Sequence, residues 1–573
     1  MMSCRGWIAF WAAVVCTGSP AFAQSTDPSH VTPKSFAPVQ PRPSGALTLG
    51  ATEPGTVPVG AETFTVLIAS SSVEGGLPKL KSETDTVLAR IKGKTVNVKT
   101  LYAAATEIEA AYARAGFVLA RVIVPPQTLV NGGVFKLIVL DGFIESVDVS
   151  AVPERVRGVV RDRVASLIGA RGLTIGEIER RLLLAGEVPG VRLASAVMRG
   201  ERVGGAKLLV QADWRPVSAS IGVDNKIGNL YRGVEFPVTV SLNSVFGFGE
   251  TIYGSLIPGP DPDTVFSGAP SRQIAAAGVI LPIGVDGWTI NPEYARSVTN
   301  PVLGPTAVRT TGVLDHWALR SHYPLIKTRK TTLTVTGSFE ITDEKQTAPD
   351  FGVITSLDRL RVFTAGLEGS RSLDWSATVS GSILVTQGTD WFGARTAADA
   401  AVSGIPLSRQ GSRPDYTKIE ASLRYDQLLP GDFTGAAILH AQQAISGPMP
   451  GAGQFSLQGD DALSAFDAGT LSVDSGISLR GELGHVFSLA DMGSTVTAAP
   501  YLFGATGLGK IDAPTAVEAS RLTATSFGVG LRFNFNPAET GLVSLATIEL
   551  GRAHASLPGN DGTRITASWI LKY

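Results

Sequence analysis

Ser526-Phe527-Gly528-Val529-Gly530-Leu531-Arg532-Phe533-Asn534-Phe535-Asn536 is the stretch that decides the fold. Phe527, Val529, Leu531, Phe533 and Phe535 alternate with Ser526, Gly528, Gly530, Arg532, Asn534 and Asn536. Side chains of a strand point to opposite faces with a period of two, so one face here is apolar and the other polar or bare. The pattern recurs upstream. Leu333, Val335, Phe339 and Ile341 alternate with Thr332, Thr334, Thr336, Ser338 and Glu340, and Ile419, Ala421, Leu423 and Tyr425 alternate with Glu420, Ser422, Arg424 and Asp426. An apolar set toward lipid and a polar set toward a wet lumen is what a transmembrane β-barrel requires. A soluble sandwich alternates too, with its apolar face on a partner sheet. Alternation alone leaves both open.

The connections favour the barrel. From residue 214 onward they alternate short and long. Short links fall near residues 284–286, 325–327, 371–372, 430–432 and 536–541, and long ones at 258–271, 299–306, 345–355, 389–414, 447–469 and 510–520. Short periplasmic turns with longer outer loops mark an outer-membrane barrel. Roughly 22 residues per strand and connection gives about sixteen strands, an even number that returns the C-terminus to the periplasm. The chain ends on Ile565, Ala567, Trp569, Leu571 and Tyr573, an apolar face finished by a terminal aromatic. Trp569, Leu571 and Tyr573 resemble the C-terminal signal read by the barrel-assembly machinery of the bacterial outer membrane.

Bulk numbers exclude other classes. The chain carries 49 basic and 50 acidic residues, so no basic footprint for nucleic acid exists. No run of about twenty apolar residues follows residue 23, so a spanning chain must span as a closed barrel. Residues 1–23 read as a secretory signal peptide: Arg5, an apolar core over 7–15, and Ala21-Phe22-Ala23 before Gln24. Cys4 and Cys16 both lie inside it, so the mature chain should hold no disulfide and no thiolate metal site.

Residues 24–61 form a proline-rich linker, with Pro28, Pro33, Pro38, Pro41, Pro43, Pro54 and Pro58, and read as a disordered tether. Two α+β units follow, over 62–142 and 143–213. In the first, a strand over 64–68 precedes a helix over 97–115 and two extended runs, 117–124 and 134–141. In the second, a strand from Phe143 precedes a helix over 153–167. A second helix starts at Thr174, where Glu177 completes a capping box, and strands over 191–199 and 206–213 close the unit. This β-α-α-β-β order resembles the polypeptide-transport-associated (POTRA) domain. Such units are thought to bind extended clients by adding a strand to a sheet edge.

The whole arrangement resembles the outer-membrane transporters of two-partner secretion, the haemolysin secretion/activation family within the BamA-like superfamily. Asp224-Asn225-Lys226-Ile227-Gly228 resembles the family's Asp-Asn-x-Gly stretch with one extra residue, and Asn243 with Gly247-Phe248-Gly249-Glu250 resembles its Asn…Gly-x-Gly-Asp stretch with Glu for Asp. Residues 447–469 then occupy the place of the family's lid loop, after strand eleven, and fold back into the lumen. The family's lid tip is Val-Arg-Gly-(aromatic); here Leu457-Gln458-Gly459-Asp460 stand there. Its arginine pairs in the family with an aspartate of a Phe-x-Asp-x-Gly run on strand thirteen. Here that run is Phe503, Ala505 and Gly507, so both charges are missing together and what locks the loop must differ.

The resemblance implies a barrel that takes a secreted, β-rich exoprotein from the periplasm through its POTRA domains and exports it through the lumen. The expected surroundings are outer-membrane lipid and the barrel-assembly machinery, with no nucleic acid and no cofactor. A barrel-assembly or insertion factor, or a passive solute porin, are the other readings of the same barrel. Enzymatic motifs give nothing to build on. Gly504 to Lys510 has phosphate-loop spacing, but Ile511 stands where Ser or Thr should bind magnesium. The six histidines are scattered. Asp460-Asp461 and Asp343-Glu344 hint at calcium only faintly, and read more simply as solvated pairs. Arg532 and Glu549, if they face inward, line a wet channel.

Overall fold

A computed structural model describes residues 27–38, 47–49, 57–260, 270–304, 307–489, 494–516, 518–537, 541–556 and 561–573. The expected signal peptide lies outside the described residues. Sixteen antiparallel strands close a barrel, counting Ser475–His485 and Phe487–Ser488 as one strand interrupted at Val486. The first strand, Val217–Asp224, pairs with the last, Gly562–Lys572, in a register running from Ser568↔Asp224 to Lys572↔Ser220. The alternation settles as the period of two requires. Phe527, Val529, Phe533 and Phe535 are exposed on the outer wall, while Arg532 points inward to Glu482.

The wall is uneven. Strands one and two span 8 and 6 residues, whereas strands seven and eight, Thr331–Ala348 and Val353–Leu373, span 18 and 21. Their ladder runs up to Ala348↔Val353, so the long outer loop expected over 345–355 is instead strand with a short link. Strand twelve likewise starts later than expected: Ser472–Val473 pairs with Phe455–Ser456 in a small hairpin before the strand begins at Ser475.

Two α+β units precede the barrel. In the first, Lys94–Asn97, Thr65–Gly75, Gly133–Leu140 and Arg121–Ile123 form one sheet, backed by helices Lys81–Ala89 and Val98–Arg114. Tyr112, Ile108 and Leu101 are buried against Phe135 and Leu137 of the sheet. The strand Lys94–Asn97 was not legible in the sequence, being four residues with three polar side chains. In the second unit, helices Glu154–Val164 and Ile175–Gly186 cover strands Phe143–Asp148, Val191–Arg199 and Gly205–Trp214, and Thr174 with Glu177 makes the capping box.

The linker is not wholly a free tether. Residues 27–38 enter the lumen, and Leu47–Leu49 adds a parallel strand to Val191–Arg199. Composition misled here because seven prolines exclude a long helix or ladder but not a short extended segment held by its surroundings.

The second unit sits on the barrel's short turns. Arg180 donates to the Pro324 carbonyl at 2.9 Å, Arg181 pairs with Asp286 at 2.8 Å, and Arg329 pairs with Glu179 at 3.0 Å. Lys327 also pairs with Glu187. The turn 244–250 presses Gly247 and Gly249, both with positive φ, against Arg155 and Val159 of the first helix of that unit. A side chain there would be strained and would meet that helix.

Candidate functional site

The lumen is the site, and two segments occupy it. The first is the lid, residues 445–474, between strands eleven, Phe433–Ala444, and twelve. Its tip packs by apolar contact. Leu457 and Leu463 are fully buried with Phe466, Leu471 and Val473 of the loop, against Ala505, Leu522, Ala524, Ala553 and Ala555 of the wall. Small residues in the wall make the room. A Cβ on Gly507 would lie 2.8 Å from the Leu463 side chain. The lid tip Leu457-Gln458-Gly459-Asp460 is thus brought against the Ala505 and Gly507 positions of strand thirteen, Ser494–Lys510. Gln458 turns back on its own loop, and its carbonyl oxygen accepts from the Leu471 N–H at 3.0 Å. Asp460 pairs with Lys226 and Asp461 with Arg424. Each acid of the Asp460-Asp461 pair therefore faces its own cation. Gly504 to Lys510 lies wholly within strand, so it forms no phosphate loop.

The charge pair expected at 458 and 505 is replaced nearby. Arg480 on strand twelve is the direct cross-strand partner of Ala505. Its side chain is 0 % exposed. It donates to Glu549 at 2.6 Å, to Glu482 at 2.7 Å and to the lid's Ser464 hydroxyl at 2.8 Å. It also donates to the lid's Ala462 carbonyl at 3.3 Å and stacks over Phe503 at 4.1 Å. Ser464 in turn donates to Glu549 at 2.5 Å, as does the Tyr501 hydroxyl. Arg532 completes the cluster on Glu482 at 2.8 and 3.0 Å. Two arginines and two glutamates balance, and nearly every polar atom has a partner, which is the condition under which buried ions persist. Arg532 and Glu549 thus do face inward; Glu549 holds the lid through Ser464, and Arg532 holds Glu482 of the wall. The inward facing of Arg480 follows from its alternation with Leu479 and Gly481. Its partnership spans strands twelve, thirteen and fifteen, and no local signal reports that.

The lid's base is tied from outside. Asp474, fully buried, accepts from Arg409 at 2.6 Å, from the Met449 N–H at 3.0 Å and from the Asp512 N–H at 2.8 Å. Arg409 comes from the long loop between strands nine and ten.

The second occupant is the plug, residues 27–38, which includes the one-turn helix Pro28–Val31. Its backbone is held by wall side chains. Glu344 accepts from the Ser29 N–H at 3.0 Å, Glu293 accepts from the Phe36 N–H at 2.9 Å, Arg320 donates to the Lys34 carbonyl at 2.5 Å, and Arg272 donates to the Val31 carbonyl. Lys34 pairs with Glu420 at 3.3 Å. Two apolar anchors add to this: Val31, with Ile227 and Tyr231, and the buried Pro28, seated over Gly312. His30 meets the lid at the Gly451 carbonyl, 3.0 Å away. A cavity of about 260 Å³ with a mixed lining remains between the plug and strands six to ten, with His316, Arg320, Glu340, Lys418 and Glu420 beside Leu360, Val362 and Leu384.

Of the two stretches that resemble family motifs, one closes the barrel and the other shapes a turn between strands two and three. Asn225 donates to the Ile565 carbonyl at 2.9 Å and accepts from the Ala567 N–H at 2.7 Å, stapling the first strand to the last. Glu250 accepts from the Phe246 and Phe248 N–H groups, at 2.7 and 3.0 Å, and so fixes the first periplasmic turn. Trp569, Leu571 and Tyr573 lie along that same seam, opposite Val223, Ile221 and Ala219.

Comparison with known proteins agrees with this architecture. Residues 207–533 match the family described as haemolysin secretion/activation protein ShlB/FhaC/HecB, and residues 71–142 match the ShlB-type POTRA domain. The heme/hemopexin transporter protein HuxB of Haemophilus influenzae, strain 86-028NP, is 22 % identical over 73 % of this chain and 72 % of its own length. Among solved structures, CdiB from Escherichia coli superposes with a TM-score of 0.70 at 20 % identity, covering 92 % of this chain and 94 % of that one. CdiB from Acinetobacter baumannii gives 0.58 at 14 % identity, covering 96 % and 94 %.

Proposed function

The chain belongs to the haemolysin secretion/activation protein family, and as such is an outer-membrane translocator of a secreted partner protein; we propose that a lid and a plug of unequal strength govern its traffic. The observation that carries this reading is the cluster of buried Arg480, Glu549 and Glu482 with half-exposed Arg532, which grips the lid through Ser464. The plug has no such grip. It is the element that leaves to open a path, while the lid stays and shapes it.

The POTRA units capture the unfolded client by strand addition and hand it to the lumen. The client is a β-rich exoprotein whose own folding outside draws it forward. Trp569, Leu571 and Tyr573 serve as the assembly signal for the machinery that inserts the barrel into outer-membrane lipid. Removing the first POTRA unit, residues 62–142, should abolish appearance of the client in the medium while the barrel remains inserted. Continued secretion from such a barrel would overturn the capture role.

A further inference from the structure

The outer ends of strands seven and eight carry a side-chain cluster on the lipid-facing wall. Glu344 of strand seven faces the plug, and Leu360 and Val362 of strand eight pack on Met449 of the lid. The alternation therefore turns Phe339, Lys345, Arg359 and Phe363 outward. Phe339 and Phe363 stack with ring centroids 4.7 Å apart. Phe392, from the loop after strand nine, Ala377–Thr389, sets its ring edge-on to Phe339 at 5.9 Å. Phe392 takes a positive φ of 55°, costly for a bulky residue, yet its side chain stays 67 % exposed. The loop is pinned in that place. The Phe392 carbonyl accepts from Arg361 at 3.0 Å, and Arg395 donates its backbone N–H to the Arg359 carbonyl at 2.9 Å and its guanidinium to the Leu357 carbonyl at 2.7 Å. A strained ring fixed on the outer wall with most of its surface bare is placed for a partner outside the protein.

Above this aromatic floor the positive charge is in excess. Asp315 is taken by Arg296 at 3.0 Å, Asp343 by Arg361 at 2.8 Å, and Asp350 by Arg309. Lys345 and Arg359 are left over: both are exposed, and among the described residues neither has an ion-pair partner. Across the ladder Arg359 faces Asp343 and Lys345 faces Leu357, so the two cations are diagonal neighbours, about 7–8 Å apart and within reach of one anion.

We infer that this cluster binds one phosphorylated lipid of the outer leaflet, with its phosphate between Lys345 and Arg359 and its acyl chains along Phe339, Phe363 and Phe392. A guanidinium fork and an ammonium point charge both suit phosphate. The seat continues the lipid-facing wall, and its depth fits a headgroup. Arg359 stands about 13 Å along the strand from Phe363, and its long side chain reaches back toward the rings. Exposed charge alone does not make such a seat. Arg521, at the outer end of strand fourteen, Arg521–Pro537, is also exposed but stands over Thr523 and Thr525, with no aromatic floor beneath it. The site lies outside the translocation path, so its loss would leave the reading of the lid and the plug as it stands.

The test uses the full-length protein in detergent, with diphosphorylated lipid A as the probe and native mass spectrometry as the readout. Wild type should hold one lipid A per chain. Lys345→Gln with Arg359→Gln should bind it about tenfold more weakly, and Arg359→Lys, which keeps the charge but not the fork, should fall between. Phe392→Ser should weaken binding as well, whereas Arg521→Gln should match wild type. Heated electrophoresis checks that each barrel is folded; if the double variant is not, Lys345→Gln alone is read in its place. Equal binding by wild type and the folded charge variant would overturn the site. An equal loss from Arg521→Gln would reduce it to diffuse attraction by a basic surface. Equal binding of lipid A stripped of its phosphates would overturn phosphate recognition, and displacement by excess inorganic phosphate would make this a seat for free anions instead of lipid.

Discussion

The lid brings its own hydrophobic core into the lumen, whereas the plug borrows polar groups from the wall. Leu457, Leu463, Phe466, Leu471 and Val473 give the lid an apolar face that has no other place to be buried. Beneath it, Arg480 and Glu549 are both withdrawn from water and pair with each other, and Ser464 and Ala462 of the lid satisfy the polar atoms that this pairing leaves over. The plug buries two smaller anchors, Pro28 and Val31, and otherwise relies on hydrogen bonds and ion pairs that water could replace. Exchange of protein partners for water costs little, typically about 0.5–1.5 kcal/mol per hydrogen bond. Two segments in one pore thus differ by how much each loses on leaving.

Substitutions can break that contrast. The largest effect is expected from Arg480→Ala, which leaves Glu549 buried without its cation and should cost about 3–5 kcal/mol. The barrel's unfolding temperature on heated electrophoresis should fall, and single-channel conductance should rise as the lid loosens. Arg480→Met with Glu549→Met should restore most of the loss, because a matched apolar pair leaves no orphan charge.

Gln458→Arg with Ala505→Asp should act next in size. Asp at 505 stands directly across from Arg480 and competes with Glu549 for it, while Arg at 458 removes the acceptor of the Leu471 N–H. Conductance should change by several-fold; an unchanged trace would show that this position has no hold on the lid.

Glu293→Gln weakens the plug, because Glu293 accepts from the Phe36 N–H and pairs with Arg320 at 2.8 Å. Open fraction should rise, with a smaller fall in unfolding temperature than Arg480→Ala gives, because Arg320 loses a buried partner but keeps Glu340 at 3.9 Å. The smallest effect belongs to Lys226→Gln. Its pair with Asp460 is largely exposed and should be worth no more than about 1 kcal/mol, so both readouts should stay near wild type.

The barrel was legible because membrane strands repeat one simple rule, apolar out and polar in, and Ser526 to Asn536 obeys it without exception. The capping box at Thr174 was legible because it is a local exchange of hydrogen bonds within one turn. The lid's place after strand eleven followed from counting strands. What held the lid did not. Arg480 and Glu549 are 69 residues apart in sequence and meet only once the strands between them are in register. The plug and the linker strand were hidden for a different reason. Both are short segments whose order comes from the surface that receives them, so their own composition reads as disorder.

The docking of the second POTRA unit has a mechanical consequence. Arg180, Arg181, Arg329 and Lys327 join that unit and two barrel turns into one piece. The joint to the first unit is also held: Asp141 accepts from the Gly172 N–H at 3.1 Å, its carbonyl accepts from Arg171 at 2.6 Å, and Leu119 packs into the second unit's core. Such a body behaves as a fixed hopper rather than a swinging arm. Cargo meets a funnel whose walls stand still, and what yields, on the reading proposed above, is the plug.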